Sequence, residues 1–199
     1  MSWDDSRRSF TEAAHAFLTT VDRVGDRWAE PGLGEWDVRA LVGHTSRSFL
    51  TVESYLARPA TTVEVGSPAD YYAATRAIAS SPDVAARGRD AGAALGATPA
   101  AAVHEIAARV LALTGTCDGT ELVTTIAGGM RLADYLPTRT FELVVHGLDL
   151  ARALGEPLDV PARPAAEALS LVAGLAVTSG QAGALLLAAT GRTTGFSVL

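Results

Sequence analysis

The chain has 199 residues and a formal net charge of −6 at pH 7, and all 16 of its basic residues are arginine. This length suits one domain, and an acidic chain without a basic cluster lacks the charge to hold a phosphate backbone, so no nucleic-acid partner is expected. Cys117 is the only cysteine, which excludes an intramolecular disulfide and fits a reducing cytoplasm.

Regular apolar spacing predicts the first helices. Apolar residues recur at steps of three to four between Trp3 and Val24, which predicts an amphipathic helix. A second helix is predicted from about residue 38 to residue 57, with Asp37 as its N-cap. Further helix starts, for two long helices or three short ones, are predicted at three pairs of a cap residue and a proline: Ser67-Pro68, Ser81-Pro82 and Thr98-Pro99.

The middle of the chain changes its pattern. The segment ELVTTIAGGM (121–130) is β-branched and ends in two glycines, which predicts a short strand or an extended connector. A long helix is predicted to follow, with Asp134 as its cap and Pro137 still within its first turn. Gly155 is predicted to end this helix.

The C-terminal part is predicted to contain one more helix (161–180) and then a tail of ambiguous structure (183–199). Residues 168–191 carry no charge over a length that can cross a membrane. Their centre, TSGQAG, is polar and rich in glycine, so a buried helix and strand are expected and a membrane partner is not. The charged N-terminus lacks the apolar segment of a secretion signal, so a cytoplasmic location is expected.

These elements predict a mostly α fold in which residues 1–155 form a helical bundle. Residues 156–199 are expected to form a C-terminal helix and tail packed on that bundle. Facing helices of a bundle can direct polar side chains inward to form a ligand site.

The predicted helix within RTFELVVHGLDLARALG (139–155) carries a polar stripe on an otherwise apolar surface. Glu142, His146 and Asp149 are four and three residues apart, so their side chains lie within reach of one another. A buried glutamate stays charged only if it meets a cation. An ion pair or a hydrogen bond between these side chains would satisfy their polar groups. A divalent metal would also satisfy them, because imidazole and carboxylate are metal ligands.

The other histidines differ in what they suggest. His44 lies in an apolar helical stretch, where it is either a satisfied core histidine or a metal ligand. His15 and His104 are expected to take no part in a site. The segment HEIAAR begins like the helix motif of zinc proteases but has Ala108 where the second histidine belongs, which excludes that class. Two histidines and one carboxylate would leave coordination positions open, which is typical of a catalytic metal.

Two stretches resemble the motifs of one family. GEWDVRALVGHTSRS resembles the tryptophan-led helix that ends in the first metal histidine of the mycothiol-dependent maleylpyruvate isomerase family, a branch of the DinB-like four-helix bundles. GGMRLADYLPTRTFELVVHGLDLARALG resembles the second signature of that family, which holds a glutamate and the second histidine. The resemblance spans roughly residues 5–155. Carried over position by position, the metal ligands of the family fall on His44, Glu142 and His146.

The resemblance implies a DinB-like four-helix bundle, here with a short C-terminal helix/strand appendage. It implies a divalent metal, Zn²⁺ or alternatively Ni²⁺ or Fe²⁺, and a low-molecular-weight thiol such as mycothiol. The implied activity is transfer of that thiol to a small electrophile, or cis–trans isomerisation of one such as maleylpyruvate. The isomerase of the family has a separate C-terminal domain that contributes to its active site, whereas only residues 156–199 follow Gly155 in this sequence.

A thiol at the open metal position is expected to lose its proton, and the thiolate is then the nucleophile. The protein need not supply one, so Cys117 is expected to be a bystander. Asp149 is expected either to hold a ligand histidine or to pair with Arg152 or Arg39. Arg139 is expected at the solvated surface, with a substrate carboxylate as the alternative.

Two other functions stay open from the sequence. A non-haem iron oxygenase also uses two histidines and a carboxylate, but the helical periodicity disfavours the β-barrels that usually hold such sites. The second is a non-catalytic bundle that holds a structural metal or binds a small acidic ligand. Structural zinc sites normally close with a fourth protein ligand, usually cysteine. The expected partners are a small thiol and a small electrophile, and a homodimer is also open.

Overall fold

The computed structural model describes residues 2–79, 83–157 and 159–193. In these ranges the chain forms helices and one hairpin, in this order: α1 (Trp3–Asp22), α2 (Val38–Leu56), α3 (Pro68–Ala79), α4 (Asp83–Ala94), α5 (Pro99–Thr114), β1 (Leu122–Thr125), β2 (Gly128–Arg131), α6 (Leu132–Leu154), α7 (Ala162–Thr178) and α8 (Ala182–Ala189). The predicted mostly α fold is confirmed.

Helices α1, α2, α5 and α6 form the bundle and bury their apolar faces against one another. Phe49 of α2 lies at its centre, with ring centroids 5.8 Å from Phe10 and 6.5 Å from Phe17 of α1. Such separations are typical of packed aromatic pairs. Helix α6 contacts both α1 and α2, so its polar stripe has a fixed position relative to α2.

The predicted N-cap of α2 is confirmed, whereas the predicted N-cap of α6 is wrong. Asp37 caps α2 as predicted, since its Oδ1 accepts a hydrogen bond of 2.7 Å from the Ala40 amide. In α6, Asp134 lies inside the first turn instead of at the cap, and Pro137 lies inside the helix beyond that turn. The loop before β1 takes the place of a side-chain cap, because its backbone carbonyls accept the first amides of α6, including that of Leu132 at 2.8 Å.

The segment 121–130 forms part of a two-stranded antiparallel hairpin, and not the single strand or connector that was predicted. The chain reverses between Thr125 and Gly128, whose φ of 117° is accessible to glycine. The loop before α3 pairs with this hairpin, because the Glu64 amide donates to the Gly129 carbonyl oxygen at 2.7 Å. This contact ties the start of α3 to the start of α6.

The proline pairs predicted either two long helices or three short ones, and the structure has the three short helices α3, α4 and α5. Pro68 and Pro99 are the first residues of α3 and α5, as predicted. The third predicted start, Ser81-Pro82, lies outside the described residues. Helix α4 lies directly against α2, because Gly43 meets the backbone of Gly92 with no space for a side chain between them.

The C-terminal appendage is helical in its described part. Helix α7 packs on α6 and α1, and its buried Glu167 accepts a hydrogen bond of 2.5 Å from Ser6. The expectation of a buried helix and strand over 168–191 is wrong for its second half. There the chain forms α8, an eight-residue helix that follows a tight turn at Gly180 and has no buried residue. It stays exposed because α7 is the one helix against which it packs to any extent in the described part of the chain.

No helix in the described ranges is long and apolar enough to cross a membrane. The division of the chain into residues 1–155 and 156–199 stays a prediction.

We expect Gly43→Ala to destabilise the fold, because the new methyl group would overlap the backbone of Gly92 and push α4 away from α2. Overpacking of this kind costs about 1–3 kcal/mol of unfolding free energy. Urea denaturation followed by circular dichroism measures this loss. The matched control is Gly174→Ala on α7, where an added Cβ meets nothing within 4 Å. The control should gain about 0.5–1 kcal/mol, and equal stability of the two variants would contradict the close approach of α2 and α4.

Candidate metal centre

Two helices of the bundle bring the three candidate ligands together. His44 lies in the middle of α2, and Glu142 and His146 lie on successive turns of α6. One ligand atom from each residue lies within 4.8 Å of those from the other two. The rings of His44 and His146 meet edge to face, with centroids 5.0 Å apart and planes at 88°. Residues that are distant in the sequence therefore share one point of the fold.

Asp149 determines which nitrogen of His146 faces the centre. Its Oδ2 lies 3.0 Å from Nδ1 of His146, and Nε2 of the same ring lies 3.3 Å from Oε2 of Glu142. Of the partners considered for Asp149, the histidine is therefore the one in contact. Arg39 donates instead to the backbone carbonyl of Gly92, at 2.9 Å.

Tyr72 is a site residue that sequence reasoning missed. Its hydroxyl donates a 2.6 Å hydrogen bond to Oε1 of Glu142, which leaves Oε2 facing His146. The two carboxylate oxygens therefore have different partners. No local pattern marks Tyr72 in the sequence, because it reaches Glu142 only through the packing of α3 on α6.

The charges of the three candidate ligands follow from their surroundings. Burial alone would raise the pKa of Glu142, but the hydrogen bond from His146 and the charge of Arg139 outweigh it and lower this pKa to about 2. Burial likewise opposes protonation of His146, but contacts with Asp149 and Glu142 raise its pKa to about 9. Burial, with the nearby charge of His146, lowers the pKa of His44 to about 4. At neutral pH the metal-free centre therefore holds a carboxylate, an imidazolium and a neutral imidazole.

The environment of His44 fits a metal ligand. Trp36 covers its ring at a centroid distance of 4.5 Å. Its Nδ1 is buried and has no hydrogen-bond partner among the described residues. Buried polar atoms are normally hydrogen-bonded, so this unpartnered ring nitrogen is available to a ligand.

The spacing on α6 also fits a metal. Donor atoms about 2.0–2.1 Å from a tetrahedral zinc ion lie roughly 3.3 Å from one another. Nε2 of His146 and Oε2 of Glu142 are 3.3 Å apart. An ion bound between them would replace the proton that His146 holds in its absence.

A cavity of ≈ 520 Å³ opens onto the three candidate ligands. Its volume is within the range of sites that bind small molecules. Trp36 and Tyr72 line it together with His44, Glu142 and His146. A small molecule that enters this cavity therefore reaches the metal-ligand atoms.

The expectation that Arg139 is solvated is wrong. Arg139 is only 9% exposed and lines the cavity. Its guanidinium carbon lies 5.5 Å from the ring centre of Tyr71 and 5.0 Å from that of Tyr135. Its Nε donates to Oγ1 of Thr138 at 3.0 Å. The side chain is buried because these aromatic rings of α3 and α6 cover it.

The other residues that the sequence singled out do not join the centre. His104 forms an exposed contact of 2.7 Å with Asp22, and His15 lines a separate open groove. Cys117 does not line the cavity, and burial, together with Glu121, raises its pKa to about 11. The thiol of Cys117 therefore stays protonated at neutral pH, which makes it a poor nucleophile.

Comparison with known protein families gives a match that covers most of the chain. The profile of the family described as "Mycothiol maleylpyruvate isomerase N-terminal domain" matches residues 8–151. The matched range covers more than half of the chain and includes all three candidate ligands. No curated protein and no solved structure matches the chain.

We expect the imidazole of His146 in metal-free protein to titrate near pH 9, because Asp149 and Glu142 stabilise its protonated form. Asp149→Asn should move this pKa down towards the ordinary value of 6.5, since it removes a charge that favours protonation. A titration of the histidine ring signals by NMR measures the shift. Asp134→Asn is the matched control, because it removes one carboxylate from the same helix. An unchanged pKa of His146 in Asp149→Asn would contradict the proposed role of this contact.

Proposed function

The chain belongs to the mycothiol maleylpyruvate isomerase N-terminal domain family, and we propose from this premise that it is a divalent-metal-dependent enzyme acting with a small thiol on a small electrophile. The observation that carries the proposal is the convergence of His44, Glu142 and His146 on one cavity. The reaction is either S-transfer, which leaves the thiol attached, or cis–trans isomerisation, which releases it again. A mycothiol-like thiol and maleylpyruvate are the examples that the family name suggests.

We infer that His44, Glu142 through Oε2 and His146 through Nε2 hold the metal. Nitrogen and carboxylate donors suit Zn²⁺ best, with Ni²⁺ and Fe²⁺ as alternatives. In the described part of the chain the cluster contains these three residues, with no cysteine and no second acidic group. Three protein ligands are typical of catalytic zinc, whereas structural zinc has four.

The surrounding residues fix the donor atoms. Asp149 holds the Nδ1 side of His146, which keeps Nε2 directed at the centre. Tyr72 donates to Oε1 of Glu142 and leaves Oε2 free for the ion. Burial raises the pKa of Tyr72 well above its ordinary value, so Tyr72 remains a hydrogen-bond donor. Trp36 covers His44 and limits the access of water to it.

A bound divalent ion would supply positive charge that lowers the pKa of a thiol. More of the thiol would then be thiolate at neutral pH. The thiol gives its proton to solvent, and its sulfur forms a bond to one carbon of a conjugated cis double bond. For isomerisation, the resulting single bond rotates, the carbon–sulfur bond breaks and the double bond re-forms as trans. For transfer, the carbon–sulfur bond stays and the neighbouring carbon takes up a proton.

Protein purified without chelator should carry up to one divalent transition ion per chain, measured by elemental analysis. Chelation should lower the Tm, because a ligand that binds only the folded state stabilises it by about RT ln(1 + [L]/Kd). Metal affinity should rise with pH up to about pH 9, since binding displaces the proton of His146.

Substitutions identify the metal ligands when the same two quantities, the metal content and the metal-dependent change in Tm, are measured. His146→Ala should abolish metal binding, and Glu142→Gln should strongly reduce the metal-dependent rise in Tm. His15→Ala and His104→Ala are the controls and should bind metal normally. A Glu142→Gln protein with an unchanged metal-dependent shift would show that Glu142 is not a ligand.

The protein should accelerate S-conjugation or isomerisation only when a small thiol and the metal are both present. Cys117→Ser should keep this activity, because the nucleophile comes from the added thiol. His44→Ala should lose at least an order of magnitude in kcat/KM, since metal activation contributes several kcal/mol to the lowering of the barrier.

Two results of this assay would contradict the proposal. Turnover without a thiol would indicate a different chemistry, such as hydrolysis or oxygenation. Stoichiometric metal binding without turnover for any thiol tested would indicate a non-catalytic binding bundle.

A further inference from the structure

The serine and threonine hydroxyls of α2 differ in whether the helix itself binds them. Most of them donate to a backbone carbonyl three or four residues earlier: Thr45 to Leu41, Ser46 to Gly43, Thr51 to Arg47 and Ser54 to Thr51. This is the usual way in which a hydroxyl inside a helix is satisfied. Ser48 is the exception, because its hydroxyl has no hydrogen-bond partner among the residues that the structure describes.

Ser48 is buried in spite of this. Only 2% of its surface is exposed, and it lines the same cavity of ≈ 520 Å³ as the candidate metal ligands. A hydroxyl that loses water without gaining a hydrogen bond destabilises the fold, so buried hydroxyls are normally partnered. The hydroxyl of Ser48 is therefore available to a molecule that enters the cavity.

The position of Ser48 places this hydroxyl beside the metal centre. Ser48 follows His44 by four residues on α2, so the two side chains are neighbours on one face, with Cβ atoms about 5–6 Å apart. Thr51 also lines the cavity, but its hydroxyl is bonded both to the backbone and to Tyr135, the latter at 2.8 Å. Tyr55 lies farther away, because it follows His44 by roughly 16 Å along the helix.

The addition of a thiolate creates a need for such a donor. When sulfur bonds to a double bond that is conjugated to a carbonyl group, the electron pair of the double bond moves towards the carbonyl carbon. The carbonyl electron pair then moves onto oxygen, which becomes negatively charged. A donor held in place beforehand stabilises this charged oxygen more than the neutral carbonyl, and so lowers the barrier. Two atoms separate this oxygen from the attacked carbon, so the donor has to lie close to the thiol.

We propose that Ser48 is a catalytic residue whose hydroxyl donates a hydrogen bond to the carbonyl oxygen of the electrophile as that oxygen becomes negatively charged. The inference rests on the proposed function, since it assigns a role in the reaction of the same cavity. Ser48 keeps its proton throughout. In isomerisation the electron pair returns from oxygen as the carbon–sulfur bond breaks, and in transfer it returns as the neighbouring carbon takes up a proton from solvent.

A stable oxygen anion tests the donor without thiol, metal or turnover. p-Nitrophenolate carries its negative charge largely on one oxygen, and in metal-free protein no ion competes for that oxygen. Isothermal titration calorimetry should show that Ser48→Ala binds p-nitrophenolate about tenfold more weakly than unaltered protein, because a hydrogen bond to a charged acceptor is lost. Equal binding by these two proteins, or no binding by unaltered protein, would overturn the proposal.

Ser46→Ala is the matched control. It also removes a buried hydroxyl from α2, but Ser46 does not line the cavity and its hydroxyl is bonded to Gly43 at 2.7 Å. This variant should bind p-nitrophenolate as unaltered protein does. Ser48→Ala should also keep the Tm of unaltered protein, because no hydrogen bond within the fold is lost.

Two uncharged electrophiles separate a catalytic role of Ser48 from a structural one. N-Ethylmaleimide reacts with thiols by addition, which places negative charge on a carbonyl oxygen. Iodoacetamide reacts by displacement of iodide, and its carbonyl oxygen gains no such charge. With metal-loaded protein and a small thiol, Ser48→Ala should lower kcat for N-ethylmaleimide at least tenfold and leave kcat for iodoacetamide unchanged.

The outcomes distinguish this inference from the proposed function. If thiol chemistry occurs and Ser48→Ala lowers both rates equally, or neither of them, the role of Ser48 is wrong and the thiol activity stands. If p-nitrophenolate binding depends on Ser48 but no thiol chemistry occurs, the donor site stands and the proposed function is wrong.

Discussion

The negative charge of Glu142, kept in a partly buried position between α2, α3 and α6, is the constraint on which the centre depends. Burial opposes this charge, and the groups that offset it come from different parts of the fold. His146 and Arg139 lie on α6, and Tyr72 lies on α3. Together they keep a carboxylate ionised beside a neutral His44, and these are two of the donor types to which divalent ions bind.

The peripheral elements of the fold matter because they hold these groups in place. The loop before α3 pairs with the hairpin that leads directly into α6, so the positions of Tyr72 and Glu142 are coupled through the backbone. Helix α4 lies against α2 at the contact of Gly43 with Gly92, and its Ala85 carbonyl accepts the indole N–H of Trp36 at 3.0 Å. That bond keeps the Trp36 ring over His44.

The sequence predicted what depends on local spacing and on motif resemblance. The positions of Glu142, His146 and Asp149 on one stripe follow from helical geometry, and their contacts are present in the structure. The position of His44 beside them followed from the resemblance, since no periodicity relates α2 to α6. The sequence did not predict Tyr72 as a site residue, and it placed Arg139 at the surface. Both contacts depend on the packing of α3 against α6, which local spacing does not reveal. The cap of α6 was misassigned for a similar reason, because loop carbonyls that are distant from Asp134 satisfy its first amides.

The central claim is that His44, Glu142 and His146 hold an ion with one position open to an external thiol. X-ray absorption spectroscopy at the zinc edge, on zinc-loaded protein before and after addition of a small thiol, tests it most directly. The account predicts nitrogen and oxygen neighbours alone at about 2.0–2.1 Å before addition, and one sulfur neighbour at about 2.3 Å afterwards. This sulfur signal should be identical in Cys117→Ser. A spectrum that does not change when thiol is added, or a sulfur signal that is lost in Cys117→Ser, would contradict the claim.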